Sequence, residues 1–522
     1  MKVRIGIDVG GTFTDAAVIN DETYELIGSA KVPTTHNAVE GVAKGIKDVL
    51  MVAMDKYSIK AEDVKFIAHG TTQATNALLE GDVSSVGIIT IGEGLEGIKS
   101  KNDTIFAPIE LAPNKYLTTK SNFVSLNGTI DKNKVEIENL INELKSDDYK
   151  TIVVSEAFSV NDPTNENYVV SMSKEMGLPA TATNEISKLY GLKVRTRTAV
   201  INASILPRML ETANMTEQSI IDANIEAPLM VMRCDGGVMN IDEVRNRPIL
   251  TILSGPAAGV AGALMYEKLT DGIFFEVGGT STDISCVKDG KVMIKYAEVG
   301  GHQTYLNSLD VRTVGIGGGS MLQIEDGKVV DTGPRSAHIA GMPYDCYADP
   351  SDVVNPVLKT IKPKDSDPDY GYVECDNGSK FCFTVAGAAN ILGFVAEDDY
   401  AYGNLEVTKK IWQPLADSMQ MSIEAVARLA LSFAAEKNGK VVKELMKDYK
   451  LDERTTELIG GGGGSATVVP HLGQSLNMKS RLAKNAPVIS TIGVALAMVR
   501  ELVERGVANP TKEDILAVRK EA

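Results

Sequence analysis

A short stretch that occurs twice constrains this chain more than any other feature. Ile5-Gly6-Ile7-Asp8-Val9 alternates apolar with small or acidic residues, Gly10-Gly11 turns, and Thr12-Phe13-Thr14-Asp15 leads into the extended run Ala16 to Ile19. Alternation of that kind reads as a strand, and a Gly-Gly turn between two such runs as a β-hairpin. Backbone N–H groups and hydroxyls at a tip of this composition form a concave donor surface that suits phosphate oxygens. Asp8 and Asp15 repel phosphate unless a divalent cation sits between, so the pattern points to a magnesium nucleotide. About half a chain later, Phe275-Glu276-Val277-Gly278-Gly279-Thr280-Ser281-Thr282-Asp283-Ile284 repeats it, with Glu276 in the place of Asp8 and Asp283 in that of Asp15. A single Gly-Gly-Thr turn is a common structural joint. Two copies sharing Gly-Gly-Thr-x-Thr-Asp predict two related lobes, each offering a phosphate-gripping hairpin to a shared cleft.

Around these hairpins the pattern is that of an α/β protein. Strands are expected at Tyr24–Val32, Val64–Ala68 and Val86–Ile91, and helices over 37–54, with Val39, Val42, Ile46, Val49 and Leu50 on one face, and over Gln73–Leu79. His69-Gly70-Thr71-Thr72 joins a strand end to a helix start, a place that favours anions. From Gly92 to about Lys150 the rhythm loosens and reads as an insertion. Thr151–Val154, Thr181–Asn184, Leu229–Arg233 and Leu250–Leu253 are expected strands, and Arg195-Thr196-Arg197-Thr198 precedes a long helix over Val200–Ala223. The lobe boundary is placed near Thr270-Asp271-Gly272. Two further glycine clusters, at Gly317-Gly318-Gly319 and Gly460–Gly464, follow apolar runs and allow close backbone approach to a ligand. Between them, Ser422–Tyr449 is helical with a break. The stretch Val488–Val503 closes the core, and a helical tail is expected over Glu513–Ala522.

Composition narrows the class. The formal net charge of −16 disfavours a nucleic-acid or anionic-membrane partner, since both need a basic surface. The five cysteines are scattered without a Cys-x-x-Cys pair, so neither a zinc site nor a disulfide framework is indicated, and a cytoplasmic setting is expected. The run Ala486 to Val499 is too short to span a bilayer and carries Pro487, Ser490, Thr491 and Gly493. Of five histidines, His69 is the candidate for catalysis or substrate contact. Cys234, beside Asp235-Gly236-Gly237, reads as buried packing rather than a nucleophile.

Taken together, Gly6 to Asp15, His69 to Glu80, Ser254-Gly-Pro-Ala-Ala-Gly259, Gly278 to Asp283, Gly317 to Ser320, and Gly333 to Ala337 with Cys346-Tyr347 resemble the ATP-dependent hydantoinase/oxoprolinase family, in particular the A-type subunit also found in acetone and acetophenone carboxylases. The resemblance implies an α/β, two-lobed ATPase fold of the actin, sugar-kinase and heat-shock-chaperone type, with ribonuclease-H-like sheets. It implies an N-terminal domain over 1–195, with the insertion at about 92–150. A catalytic domain follows over 196–522, with connecting helices to about 270 and the second hairpin lobe from 271. ATP and magnesium are the implied cofactors. Gly10, Gly11, Thr12 and Thr14 take one side of the phosphates and Gly278, Gly279, Thr280 and Thr282 the other, while Gly317, Gly318 and Gly461, Gly462, Gly463 approach the nucleotide. Asp8, Asp15 and Asp283 are the implied metal contacts, and Asp8, Glu276 and His69 the catalytic set. The implied chemistry is phosphorylation of a carbonyl oxygen in a cyclic amide of the hydantoin or 5-oxoproline kind, driving ring opening. The alternatives are the ATP-using subunit of a ketone carboxylase and a nucleotide-dependent, chaperone-like activator. A small-molecule cyclic amide or ketone, a B-type partner subunit and a homo-oligomer are the implied partners. Glu276 departs from the family's usual aspartate at that place, and the late glycine motif is stretched to five.

Overall fold

A computed structural model describes residues 1–11, 13–35, 38, 40–126, 128–500, 503–507 and 509–521. Thr12, Asn37 and Val39, which carry expectations above, lie outside the described residues. Two compact units emerge from the contacts. One comprises Met1–Ala257, Ile294–Leu309 and Val494–Ala522, the other Ala258–Met293 and Asp310–Gly493. The 1–195 and 196–522 division is one of sequence; the contacts cut the chain at Ala257 and return to the first unit twice more.

In the first unit, β1 (Val3–Val9), β2 (Phe13–Asn20), β3 (Leu26–Pro33), β4 (Val64–Thr71) and β5 (Leu229–Met232) share one sheet in the order β3-β2-β1-β4-β5, with Val238–Asn240 on the far edge. The first three strands form an antiparallel meander, and β4 and β5 add in parallel. This is ribonuclease-H topology. Ile5, Ile7 and Val9, each at most 2% exposed, share one core with Ile46, Val49 and Leu50 of α1 (Val42–Lys56), the apolar helical face read from the sequence. Burying side chains of that size stabilises the fold by about 1.5–3 kcal/mol each. The helix α2 (Gln73–Glu80) follows β4 at once.

In the second unit, β6 (Gly272–Val277), β7 (Thr282–Lys288), β8 (Glu457–Gly461) and β9 (Ser480–Leu482) repeat the plan. Here β7 and β6 are antiparallel, β8 and β9 add in parallel, and Val311–Val314 and Lys291–Val292 flank β7. The helix α3 (Ser465–Leu476) follows β8 as α2 follows β4. The second core gathers around Phe275, Phe383 and Trp412.

Several elements differ from expectation. Val86–Gly92 does not join the first sheet; it lies between Thr119–Ser125 and Thr151–Glu156, with Ala180–Ala182 at one edge, in a separate parallel sheet with its own core. Strand Thr119–Ser125, within the stretch expected to be an insertion, therefore belongs to this layer. Residues Arg195–Thr198 lie inside the helix Leu192–Asp222, where Arg195 is buried and donates to the carbonyls of Glu156, Ala157 and Leu189. The run Leu250–Leu253 is no strand: Pro248 starts a 3-10 turn over Pro248–Thr251, closed by the Thr251 hydroxyl on the Pro248 carbonyl. Helix Ile423–Tyr449 is unbroken, and the late apolar helix spans only Ile489–Leu496. Among the described residues no helix is long and apolar enough to cross a membrane.

Candidate functional site

Each unit presents the same carboxylate arrangement at the end of its central strand. Asp8 of β1 is paired across the hairpin with Asp15 and stands level with Gly70 of β4. Glu276 of β6 is paired with Asp283 and stands level with Gly461 of β8. The turns close identically: the Gly10 N–H donates to the Phe13 carbonyl at 3.0 Å, and the Gly278 N–H to the Ser281 carbonyl at 3.0 Å. Glycine beside each carboxylate keeps its space clear. A Cβ on Gly70 would lie 3.3 Å from Asp8 Oδ1, and one on Gly259 would lie 1.9 Å from Glu276 Oε2. The extra methylene of Glu276 is accommodated in this way, and its Oε1 accepts from the Ser490 hydroxyl at 2.5 Å.

In the first unit, burial and the charge of Asp15 push the Asp8 carboxyl up to about 6, with Lys31 opposing. By exposed area Asp8 is only partly buried, so its side chain is enclosed by protein yet keeps some solvent access. Burial also raises Asp15, although Lys31 Nζ lies 3.0 Å from its Oδ1. Two mutually repelling carboxylates, both held above the usual range and side by side, are a site that a cation stabilises. Among the described residues no group of three or more His, Cys, Asp or Glu gathers as a metal cluster. The Asp8–Asp15 pair therefore fits magnesium of the kind that takes one or two carboxylates and completes its shell with phosphate and water.

Three sequence expectations are revised. The side chain of Thr14 is fully buried: its hydroxyl meets that of Thr34 at 3.1 Å, and Thr34 in turn donates to the Gly10 carbonyl at 2.8 Å. Thr282 is equally buried and donates to the Ile316 carbonyl at 2.6 Å. Both threonines brace the hairpins from behind rather than facing a ligand, because alternation puts them on the opposite face from Asp15 and Asp283. His69 stands level with Ile7 and Val231, on the face opposite Asp8. Among the described residues neither ring nitrogen has a hydrogen-bond partner, burial pushes the imidazole down to about 4, and the side chain does not share a face with Asp8.

The glycine clusters of the second unit support the hairpin as well. The Gly318 N–H donates to the Gly278 carbonyl at 3.0 Å, the Gly319 N–H to the Gly279 carbonyl at 2.8 Å, and the Gly464 N–H to the Val277 carbonyl at 2.9 Å. Gly462, at φ +82°, donates to the Ala486 carbonyl at 2.8 Å. Gly318 is thus bonded to the hairpin tip, Gly461 is paired with Glu276, and Gly317 donates to the Ser320 hydroxyl at 2.9 Å, so these glycines shape the hairpin's support. The N–H groups of Gly279, Thr280 and Gly463 are engaged by no described residue. Asp283 is raised by burial and accepts from the Thr313 hydroxyl at 2.5 Å.

Lys31 and Gly70 reach the first hairpin from strands the sequence announces, whereas Ser490 and Tyr344 reach the second from segments whose position no local pattern announces. Asp345, fully buried, accepts from the Cys346 N–H, the Thr384 N–H and hydroxyl, and Trp412 Nε1 at 2.5 Å. It ties the turn that carries Tyr344 to the helices Val385–Ile391 and Leu405–Met419. An amide nitrogen cannot accept, so Asp345→Asn turns an NH₂ toward at least one buried donor. Chemical denaturation should then show a loss of about 2–4 kcal/mol. Cys234 is buried in the core of the first unit, and burial with the Asp235 charge pushes its thiol up to about 12, which removes it as a nucleophile.

The family model described as hydantoinase/oxoprolinase matches residues 195–503, and the model of the hydantoinase/oxoprolinase N-terminal region matches residues 4–177. An uncharacterized protein of Methanocaldococcus jannaschii is 24% identical over 96% of this chain and 73% of its own length. The alpha subunit of caprolactamase from Pseudomonas jessenii is 23% identical over 96% of this chain and 71% of its own. The 5-oxoprolinase 1 of Arabidopsis thaliana is 25% identical over 96% of this chain but only 42% of its own length. Among solved structures, the ATP-dependent caprolactamase from Pseudomonas jessenii superposes with a TM-score of 0.70 at 21% identity, covering 95% of this chain and 71% of that one. Nucleotide-free acetone carboxylase gives 0.64 at 18%, covering 95% and 70%. Both share the two-lobed ATPase fold.

Proposed function

The chain belongs to the hydantoinase/oxoprolinase family, and we propose that it uses ATP to phosphorylate the carbonyl oxygen of a cyclic amide, so that the ring can be opened by water. The observation that carries this reading is the repeated carboxylate pair, Asp8 with Asp15 and Glu276 with Asp283, at the tips of two glycine hairpins. The relatives named caprolactamase and 5-oxoprolinase support the substrate class, and the name of the former's alpha subunit supports a second subunit as partner.

The chemistry is a matter of positioning and charge. An amide oxygen is a poor leaving group. Attack of that oxygen on the γ-phosphorus breaks the bond to the β-phosphate oxygen and releases ADP; water then adds to the activated carbon, the C–N bond breaks as the nitrogen takes up a proton, and a second water hydrolyses the resulting acyl phosphate to the ring-opened acid and inorganic phosphate. Phosphoryl transfer of this kind asks the protein to align donor and acceptor and to neutralise charge. The N–H groups of Gly279 and Thr280 are free to donate to phosphate oxygens, and the buried threonines behind the tips keep the hairpins rigid. Asp8 and Asp15 would hold magnesium, which when bound offsets the phosphate charge.

The test is a panel of lactams and hydantoins, with and without bicarbonate, assayed for ADP release and for the ring-opened acid. A cyclic amide that raises ATP turnover at least tenfold without bicarbonate, with product in proportion, is the expected result. Turnover that needs bicarbonate and a ketone would replace this reading with carboxylation.

A further inference from the structure

Tyr344 lies in neither hairpin and in none of the glycine clusters, yet its hydroxyl reaches the tip of the second hairpin. A Cβ built on Gly319 would sit 2.0 Å from that oxygen, and one on Gly279 would sit 3.1 Å away. Glycine at both places is what admits the phenol. Its ring is fixed on one side by Tyr347, with centroids 5.6 Å apart, and its backbone is bridged to Cys382. The hydroxyl itself donates to and accepts from no described residue, although a half-buried tyrosine normally finds a partner. The N–H groups of Gly279 and Thr280 beside it are also unengaged.

We propose that the Tyr344 hydroxyl is a further phosphate-binding donor, completing with the Gly279 and Thr280 N–H groups a three-donor cradle for the polyphosphate of the nucleotide. This rests on the nucleotide reading above and adds to it a specific ligand contact. Burial pushes the phenol up to about 12, so it keeps its proton at working pH and adds a donor without adding charge. The ring is held by packing that phenylalanine would preserve, so the hydroxyl can be removed on its own. A hydrogen bond to a charged oxygen contributes on the order of 1.5–3 kcal/mol, which corresponds to a loss of at least about tenfold in affinity when it is deleted.

The experiment is calorimetric titration of the full chain, wild type and Tyr344→Phe, with MgATP and with magnesium tripolyphosphate, alongside thermal melts without ligand. The expected result is a loss of about tenfold or more for both ligands with an unchanged melt. If Tyr344→Phe binds both as tightly as wild type, the hydroxyl does not touch phosphate. If it loses MgATP but keeps tripolyphosphate, the contact lies elsewhere on the nucleotide and the cradle is wrong. A melt lowered by several degrees would make the hydroxyl structural and also overturn the proposal. Wild type that binds neither ligand would bring down the nucleotide reading itself, an outcome separable from the other three.

Discussion

Asp8→Asn should raise the melting temperature of the ligand-free protein while it abolishes nucleotide turnover. The two effects have one cause. Asp8 is held at about 6 by burial and by Asp15, against 3.8 for a free carboxyl. A carboxyl whose folded value is raised stabilises the fold only below its unfolded value, and that contribution is lost as pH rises through the folded value. At pH 7.5 the loss is complete. The shift of about two units corresponds to about 3 kcal/mol, which the partial solvent access of Asp8 trims to about 1–2 kcal/mol. Asparagine removes the charge and recovers that amount, a rise of roughly 2–4 °C. The gain should shrink as the melts are repeated toward pH 4.5, where wild-type Asp8 is itself protonated. Turnover of MgATP should fall on the order of 10²–10³-fold, the usual effect of deleting one preorganised electrostatic group. An Asp8→Asn protein that is less stable than wild type at pH 7.5, or that turns over ATP normally, would show that the strained carboxylate is not a site kept for a cation.

The sequence carried the hairpins because their signals are local. Period-two alternation and a Gly-Gly turn fix both strands and their register, and the repeat follows from comparing two short strings. The placement of Asp8 beside Asp15 is a consequence of that register. The inward turn of Thr14 was legible in the same alternation, since neighbours on a strand face opposite ways, and so was that of Thr282. The family pattern, which groups all hairpin threonines together, hid it. His69 misled for a different reason: its motif sits at the right strand end, but its face is decided by pairing with Ile7 across a parallel register that no local signal specifies. Val86–Ile91 was legible as a strand, but its membership of a second sheet was not, because alternation of strand and helix does not say which sheet a strand joins. Leu250–Leu253 shows the limit of short apolar runs, which fit a strand and a 3-10 turn equally well until Pro248 is weighed. Tyr344 and Ser490 reach the second hairpin from distant segments, so only the folded chain brings them to it.

The glycines at and around the hairpin tips should separate into two kinds under alanine substitution, and the difference identifies what each one makes room for. Gly317 is buried, and a Cβ there would lie 2.6 Å from the Gly278 carbonyl oxygen and 2.8 Å from both Gly279 C and Ser281 N. All three are backbone atoms of the second tip and cannot swing aside. Gly317→Ala must therefore displace the hairpin, costing about 1–3 kcal/mol and lowering MgATP turnover by about a hundredfold, because the Gly279 and Thr280 donors move with it. Gly278 is exposed, and its nearest atom to a built Cβ is the Ser281 carbonyl oxygen at 3.7 Å, an ordinary contact. Gly278→Ala should leave stability within about 0.5 kcal/mol, yet its methyl occupies space that a phosphate approaching the tip needs, so KM for MgATP should rise by about tenfold. Melts and initial rates on the two variants read both quantities. The first unit offers a check on the same logic: a Cβ on Gly11 meets nothing within 4 Å, so Gly11→Ala should behave like Gly278→Ala and not like Gly317→Ala. A Gly278→Ala protein with unaltered KM would mean that no ligand comes close to that tip, and the glycine there would be a turn residue only.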